Sequence, residues 1–362
     1  MAESLAWRIK VSLQWTGWLQ YIPNMFLVVL LSFLGFLFRT LGFPHLATIF
    51  DVLDAIAFFV LCFDLITVKF NCRPTEAIPA RKDWDAFDLM RQRRSCRSFQ
   101  WRDLTPEHRN ELMECVQANL LPQKMLGSKP IRLEYIREPL TVWPVVGCHE
   151  FLVAIAPKEY DRLAVLDVGR SLQKVVLHAT RMGLATCWIG PGADQSSVQQ
   201  KLGPRFNEEK DHIICVCAIG YPSWYMPTTI KWTVNMFSAT RNPLSKLFFR
   251  DSRFETPLST EAPPFSRYGR CYEACQWAPS SFNAQPVRVV GHAEGQRFDF
   301  YGANSSRYYT PVAVGIWLAN WETGCEALKI KGHFKIMDSE KLDVPALTND
   351  GPVYDMSWIC SP

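Results

Sequence analysis

The most constraining feature of this chain is an uncharged stretch near its start. No charged side chain occurs between Val11 and Phe38, and Tyr21 to Phe38 is predominantly apolar. About 17–25 helical residues cross a hydrocarbon layer of about 30 Å, so this stretch is long enough to span one. A cleaved signal peptide fits less well, because its shorter apolar core would end in small residues, whereas Arg39, Gly42 and Pro44 follow here. We therefore predict a membrane helix that the protein keeps.

A second apolar stretch, Leu46 to Val68, contains Asp51, Asp54 and Asp64. Each aspartate would cost about 2.5–3.5 kcal/mol near the centre of a bilayer, so this stretch either crosses the membrane or lies in the interface. Aromatic and basic residues flank the two stretches, which favours a hairpin with both ends in the cytosol. The alternative is a pair of core helices that cover a neighbouring subunit. The flanking residues are Trp7, Arg8, Lys10, Trp15, Trp18, Tyr21, Lys69, Arg73, Arg81 and Lys82.

The rest of the chain predicts a linker and two units. We assign residues 1–70 to the apolar hairpin or membrane anchor, with the membrane contact over 11–68. Residues 71–83 are the linker, 84–250 the first half and 251–362 the second half. Helices alternate with strands on an α/β plan, or on the related α+β plan. Periodicity and end signals predict helices over 84–94, 105–120, 167–182 and 265–277, and strands over 131–136, 150–155 and 212–219.

Two pairs of short segments recur in the same order in the two halves. KPIRL at 129–133 matches QPVRV at 285–289, and DVGRSL at 167–172 matches AVGIWL at 313–318. Matched landmarks in one order indicate an internal duplication, although matches this short also arise by chance.

Composition excludes several classes of partner. The formal net charge is +4 and the basic residues are scattered, which gives no reason to expect a nucleic-acid partner. The 12 cysteines have neither the paired CxxC spacing of a structural zinc site nor an apparent disulfide framework. We predict reduced, buried thiols and no metal site.

Two motifs rich in charged or polar groups carry candidate binding residues. RRSCRSF places three guanidinium groups and a hydroxyl at a helix-to-loop junction, where they can hold a phosphate or form a solvated basic turn. APSSFNAQP places amides and hydroxyls between two prolines, and such a loop can face a planar polar heterocycle or be an ordinary turn. The candidates are Arg93, Arg94, Ser95, Arg97, Pro279, Ser280, Ser281, Asn283 and Gln285.

A third motif, GLATCWIG at 183–190, contains glycines that permit close approach of the backbone to a flat ligand. Its N–H groups can stabilise charge on a reduced ring, and its candidates are Trp188, Ile189 and Gly190. A core position is the alternative for Trp188. Arg241, in TRNPLSKLFF, can add a positive charge at a phosphate or lie on the surface.

Together with AIGYPS, these motifs resemble the nitroreductase family of FMN enzymes from about Trp84 to the C-terminus. In that family, two subunits exchange the arginine motif, the polar loop and the glycine loop across a dimer interface. Here the first half has LLPQKMLGSKP, residues 120–130, where the polar loop belongs, and the second half has that loop without a preceding RRSxR. The chain is therefore similar to tandem, single-chain members, whose two halves form an intrachain pseudo-dimer with a nitroreductase-like fold.

The resemblance implies roles for the candidate residues. Arg93, Arg94, Ser95 and Arg97 would hold the FMN phosphate and ribityl chain, with Arg241 at the phosphate. The loop over 279–283 would line the isoalloxazine from the other half, and residues 188–190 would lie near its reactive edge. The opposite, pseudo-symmetric site lacks both sets of residues and is predicted to be empty.

The implied activity is electron transfer from NAD(P)H through one FMN to a small organic acceptor such as a nitroaromatic or a quinone. The flavin carries this chemistry, so we nominate no catalytic side chain. One alternative is a reductive dehalogenase or a flavin-fragmenting enzyme of the same family. Another is a non-catalytic, membrane-tethered binding protein.

Overall fold

The computed structural model describes residues 5, 8–9, 12–13, 17–190, 192–237, 240–292, 294–338 and 351–361. Three of the predicted flanking residues, Trp7, Lys10 and Trp15, lie outside the described residues.

Two apolar helices form a hairpin. Helix α1 spans Ile22–Thr40, and α2 spans Pro44–Asp64 and continues as a π-helical segment over Leu65–Lys69. Both are long and apolar enough to cross a membrane, with mean hydropathies of 1.9 and 2.2 and only 6% and 11% of their apolar windows buried. The predicted second stretch is thus helical throughout. Its low burial contrasts with a core helix, most of whose apolar surface is covered.

Polar contacts join the two helices of the hairpin. Ser32 donates a hydrogen bond to Asp54 at 2.7 Å, and Arg39 forms an ion pair with Asp51. Two of the three aspartates that made this stretch ambiguous therefore have partners on the neighbouring helix, which lowers the cost of placing them in an apolar layer.

The first half forms an antiparallel sheet of four strands in the order β1-β2-β4-β3. The three predicted strands and the predicted helices over 84–94 and 105–120 are confirmed, with β4 inside the sheet. Its elements are α3 (Ala86–Gln92), α4 (Pro106–Asn119), β1 (Arg132–Ile136), β2 (Glu150–Pro157), α5 (Arg162–Arg181), β3 (Ala185–Ile189), α6 (Gln195–Leu202), β4 (Asp211–Gly220) and α7 (Thr228–Phe237).

The second half repeats this strand order. Its sheet runs β5-β6-β7-β9-β8, and the last four strands are antiparallel neighbours in the same sequence of positions as β1-β2-β4-β3. The additional strand β5 comes from the end of the first half and pairs in parallel with β6. The elements are β5 (Phe248–Phe249), α8 (Cys271–Gln276), β6 (Val287–Gly291), β7 (Arg297–Gly302), α9 (Tyr309–Ala327), β8 (Gly332–Lys335) and β9 (Val353–Cys360).

The long helices α5 and α9 cross at two glycines and join the halves through one buried core. A Cβ atom on Gly169 would overlap the carbonyl oxygen of Val312, and one on Gly315 would overlap that of Leu166. These glycines hold the same place in the matched segments DVGRSL and AVGIWL. Glycine is required here because the two backbones approach each other directly.

The crossing gives a first testable prediction, Gly315→Ala. In an isolated helix this change would stabilise by about 0.5–1 kcal/mol. Here the added methyl group meets the rigid Leu166 backbone, so we expect the free energy of unfolding to fall by about 1–3 kcal/mol. Denaturant unfolding of the full chain in detergent measures it. Gly324→Ala on the same helix is the control, because its methyl meets the Cys271 side chain and a smaller loss is expected. A more stable Gly315→Ala protein would contradict the close crossing.

Three expectations need correction. The sheets are antiparallel apart from the β5–β6 pair, so the fold is α+β and not α/β; alternation along the chain does not fix strand direction. Helix α5 begins at Arg162 instead of 167, because the Asp161 side chain caps it by accepting from the Ala164 N–H at 2.8 Å. The predicted helix over 265–277 is interrupted at Gly269, whose φ is +42°.

Candidate functional site

A cavity of about 720 Å³ is lined by residues of both halves. Twelve of the thirteen candidate residues line it, so the structure brings the three motifs and Arg241 together. The thirteenth, Gln285, is buried and is not among the lining residues. The first half contributes Arg93, Arg94, Ser95, Arg97, Trp188, Ile189, Gly190 and Arg241. The second half contributes Pro279, Ser280, Ser281 and Asn283.

Arg93 is the most deeply buried cation of the cavity. Its residue is 4% exposed, and its Nε and Nη1 atoms have no hydrogen-bond partner among the described residues. Burial, together with the neighbouring positive charges of Arg241 and Arg94, lowers the pKa of Arg93 to about 10. The group therefore stays a cation at neutral pH and faces the cavity without a counter-charge, which is unfavourable unless an anion binds.

Two further arginines enclose an indole ring. The guanidinium carbons of Arg94 and Arg241 lie 4.8 and 5.5 Å from the ring centroid of Trp277, within the range of cation–π attraction. Arg241 also donates to the carbonyl of Ala278 at 2.9 Å. Burial lowers the pKa of both arginines.

Within the described residues, no carboxylate forms an ion pair with Arg93, Arg94, Arg97 or Arg241. No lining residue of the cavity is acidic. The four guanidiniums therefore create a positive field in a space with apolar walls, which attracts a phosphate group.

The arginine motif lies along strand β3, which explains how two of the predicted motifs meet. Ser95 forms a parallel bridge with Thr186, and the Cys96 N–H donates to the Thr186 carbonyl at 2.9 Å. Arg97 donates to the Cys187 sulfur at 3.6 Å. Burial raises the pKa of the Cys187 thiol, which therefore accepts this bond in its neutral form.

The polar loop adopts a left-handed backbone at three non-glycine residues. Phe282, Asn283 and Gln285 have φ angles of +49°, +54° and +47°. Buried Gln285 fixes this shape: its Oε1 accepts from the Asn242 N–H at 2.8 Å, and its own N–H donates to the Ser280 hydroxyl at 3.0 Å. Such strain of about 1–3 kcal/mol per residue is retained mainly where a site needs a defined backbone.

The family model described as "Putative TM nitroreductase" matches residues 85–323, from α3 to the last turns of α9. The chain belongs to this nitroreductase family. The comparison with curated proteins finds no match.

Solved structures of nitroreductases resemble the chain at low sequence identity. One from Thermotoga maritima is 18% identical, has a TM-score of 0.47, and is matched over 80% of this chain and 100% of its own. A nitroreductase family protein from Clostridium difficile 630 is 19% identical, with a TM-score of 0.33 and coverages of 44% and 94%. A nitroreductase with bound FMN from Bacteroides fragilis is 14% identical, with a TM-score of 0.30 and coverages of 39% and 89%. The family assignment depends on the family model and not on these three.

Several lining residues of this nitroreductase were missed by the sequence analysis. They include Trp143, which follows β1, Trp277, and a wall of helix α9 made by Tyr309, Val312, Ala313 and Ile316. The Tyr309 ring lies against Gly190, where a Cβ atom would be 2.7 Å from it. Trp277 directly precedes the APSSFN motif, so the sequence could have predicted it as a lining residue. The α9 wall could not be predicted in this way, because it depends on how α9 packs against the first half.

The indole nitrogens of Trp143 and Trp188 are buried without a hydrogen-bond partner in the described part of the chain. Like Arg93, they are donors that the protein itself leaves unsatisfied, and a ligand with acceptor atoms would satisfy them. Across the same described residues, no cluster of three or more histidine, cysteine or acidic side chains offers a metal site.

Proposed function

We propose that this protein is an FMN-dependent oxidoreductase that passes electrons from NAD(P)H to a small organic acceptor such as a nitroaromatic or a quinone. The observation that carries the proposal is the buried, unpartnered guanidinium of Arg93 among three further arginines without a carboxylate. A phosphate is the anion that such a group of arginines suits best. The aromatic and apolar walls beside it suit a flat ring system.

Each side of the cavity has a defined task in this proposal. Arg93, Arg94, Arg97 and Arg241 bind the phosphate, with Ser95 at the ribityl chain. The strained loop over 279–283 presents amide and hydroxyl groups to the polar edge of the ring, and the backbone over 188–190 approaches the reactive edge. The α9 wall excludes water. When bound, FMN supplies two-electron transfer, and the protein binds and orients both substrates.

A tandem origin with one retained site is part of the proposal. The repeated strand order and the glycine crossing of α5 and α9 support two related halves arranged as a pseudo-dimer. At the place of cavity-lining Ala313, the matched segment of the first half has Asp167. The Asp167 carboxylate is buried and accepts from the Leu126 and Gly127 N–H groups at 2.9 Å. A carboxylate in this position opposes a second phosphorylated ligand.

We further propose that the hairpin anchors the protein in a membrane, with the flavin domain in the cytosol. The low burial of both helices supports the anchor. The basic residues that follow the hairpin in the chain, Lys69, Arg73, Arg81 and Lys82, support the cytosolic side.

The visible spectrum of the purified full chain in detergent tests the function. We expect a yellow protein with flavin absorbance that bleaches when NADH or NADPH is added without oxygen and returns with an acceptor. A colourless protein that takes up no added FMN would rule the proposal out. Bound flavin that neither nicotinamide reduces would favour the non-catalytic binding protein instead.

A further inference from the structure

Helix α7 is shared by the hairpin and the cavity. Ile230 is buried against Val68 at the end of the hairpin and against Val146 of the main body. Val234, on the same side of α7, packs on this cluster and also lines the cavity. Four residues of helix span about 6 Å, so one wall of the cavity lies a single turn from the base of the hairpin.

The base of the hairpin is attached to α7 by direct hydrogen bonds. The buried Asp64 carboxylate accepts from the Tyr225 hydroxyl and, at 3.2 Å, from the Thr228 N–H. The Thr229 hydroxyl donates to the Gln20 carbonyl. Because these bonds join the hairpin directly to α7, no flexible segment separates the two. A hairpin that crosses a bilayer therefore holds α7 at the membrane surface.

The outer surface beside this attachment has the composition of a membrane interface. Trp224 and Trp232 are each 66% exposed, and Lys231 is exposed between them on α7. Exposed tryptophans next to a lysine favour the headgroup layer, where the ring meets acyl chains and the ammonium meets phosphates. This α7 surface would face the same membrane as the hairpin.

The lining of the cavity selects against a zwitterionic acceptor. An amino-acid ammonium would need a carboxylate, and no lining residue is acidic. Away from the arginines the walls are aromatic or aliphatic, with Trp143, Phe282, Tyr309, Val312 and Ile316 among them. This lining argues against a halogenated amino acid and suits a neutral, apolar acceptor.

From these observations we infer that the acceptor is a lipophilic quinone dissolved in the bilayer, which reaches the flavin along the α7 wall of the cavity. The inference rests on the proposed function and names the substrate of that site. The overall reaction balances: NAD(P)H gives a hydride and a proton comes from solution, and the quinone takes up two electrons and two protons as its two carbonyl groups become hydroxyls. The nicotinamide nucleotide dissociates from the protein in its oxidised form.

The test compares two quinones with the same ring, one carrying a long isoprenoid tail and one short enough to dissolve in water. The full chain is reconstituted with FMN in phosphatidylcholine vesicles. We expect the rate with the long-tailed quinone to follow its mole fraction in the lipid. Trp232→Glu should lower that rate about tenfold at a fixed mole fraction, because a carboxylate in place of the indole ring removes the contact between the α7 surface and the acyl layer. Its rate with the soluble quinone should be unchanged.

The control is Ile336→Glu, which changes a residue that is 50% exposed in the second half and should alter neither rate. Entry from the membrane would be refuted if Trp232→Glu lowered the rates with both quinones equally. It would also be refuted if Trp232→Glu left the rate with the long-tailed quinone unchanged. If NAD(P)H still bleaches the flavin in that case, the proposed function stands without this inference. If the flavin does not bleach in the unaltered protein, the proposed function fails and the inference fails with it.

Discussion

Replacing Arg93 with glutamine is expected to weaken FMN binding by at least about 10²-fold while making the FMN-free protein more stable. Each charge-assisted hydrogen bond to a phosphate contributes about 1.5–3 kcal/mol, and two nitrogens of this cavity-lining guanidinium have no hydrogen-bond partner among the described residues. Without ligand the same group is a buried charge with arginine neighbours, which costs stability. Binding and stability should therefore change in opposite directions.

The measurement is a titration of FMN into the stripped protein by flavin fluorescence, together with chemical unfolding without FMN. Arg91→Gln is the matched control, since Arg91 lies only two residues earlier, in the last turn of α3, but is exposed and does not line the cavity. It should leave both quantities nearly unchanged. Equal FMN affinity in Arg93→Gln and the unaltered protein would remove the main support for a phosphate at the arginine cluster.

Ala313→Asp is the second change with a large expected effect, because it copies into the cavity the residue found at the matched place of the first half. We expect FMN uptake to be lost, with affinity falling more than about 10²-fold. The carboxylate would repel the phosphorylated ligand and occupy space on the α9 wall. At Asp167 burial raises the pKa of such a carboxyl group, while two backbone N–H groups stabilise its charge.

Ala313→Asn is the control, since it adds nearly the same volume without the charge. If both variants lose FMN affinity equally, the added volume alone prevents binding. If only Ala313→Asp loses it, the negative charge prevents binding. Circular dichroism should give the same spectrum for both proteins, because loss of FMN through unfolding would not test the site. Normal FMN affinity in Ala313→Asp would contradict an α9 wall at the flavin.

A large part of the candidate site could be predicted from residue types alone. Guanidinium groups, amides and glycines carry their chemistry wherever the chain places them, and they stand close together in RRSCRSF, APSSFNAQP and GLATCWIG. Twelve of the thirteen candidate residues therefore line one cavity, although Arg93 and Asn283 belong to different halves. The two long apolar helices could also be predicted, because an apolar run long enough to cross a membrane is a property of one continuous stretch of sequence.

Contacts between distant segments were decided only by the tertiary structure. Trp277 lies between two arginines, one of them 183 positions earlier in the chain, and Tyr309 covers Gly190 because α9 crosses α5 at their glycines. No local pattern encodes such pairs. They follow from how two sheets and two helices pack, and the direction of the strands was decided there too, since alternating apolar residues predict a strand but not its partner.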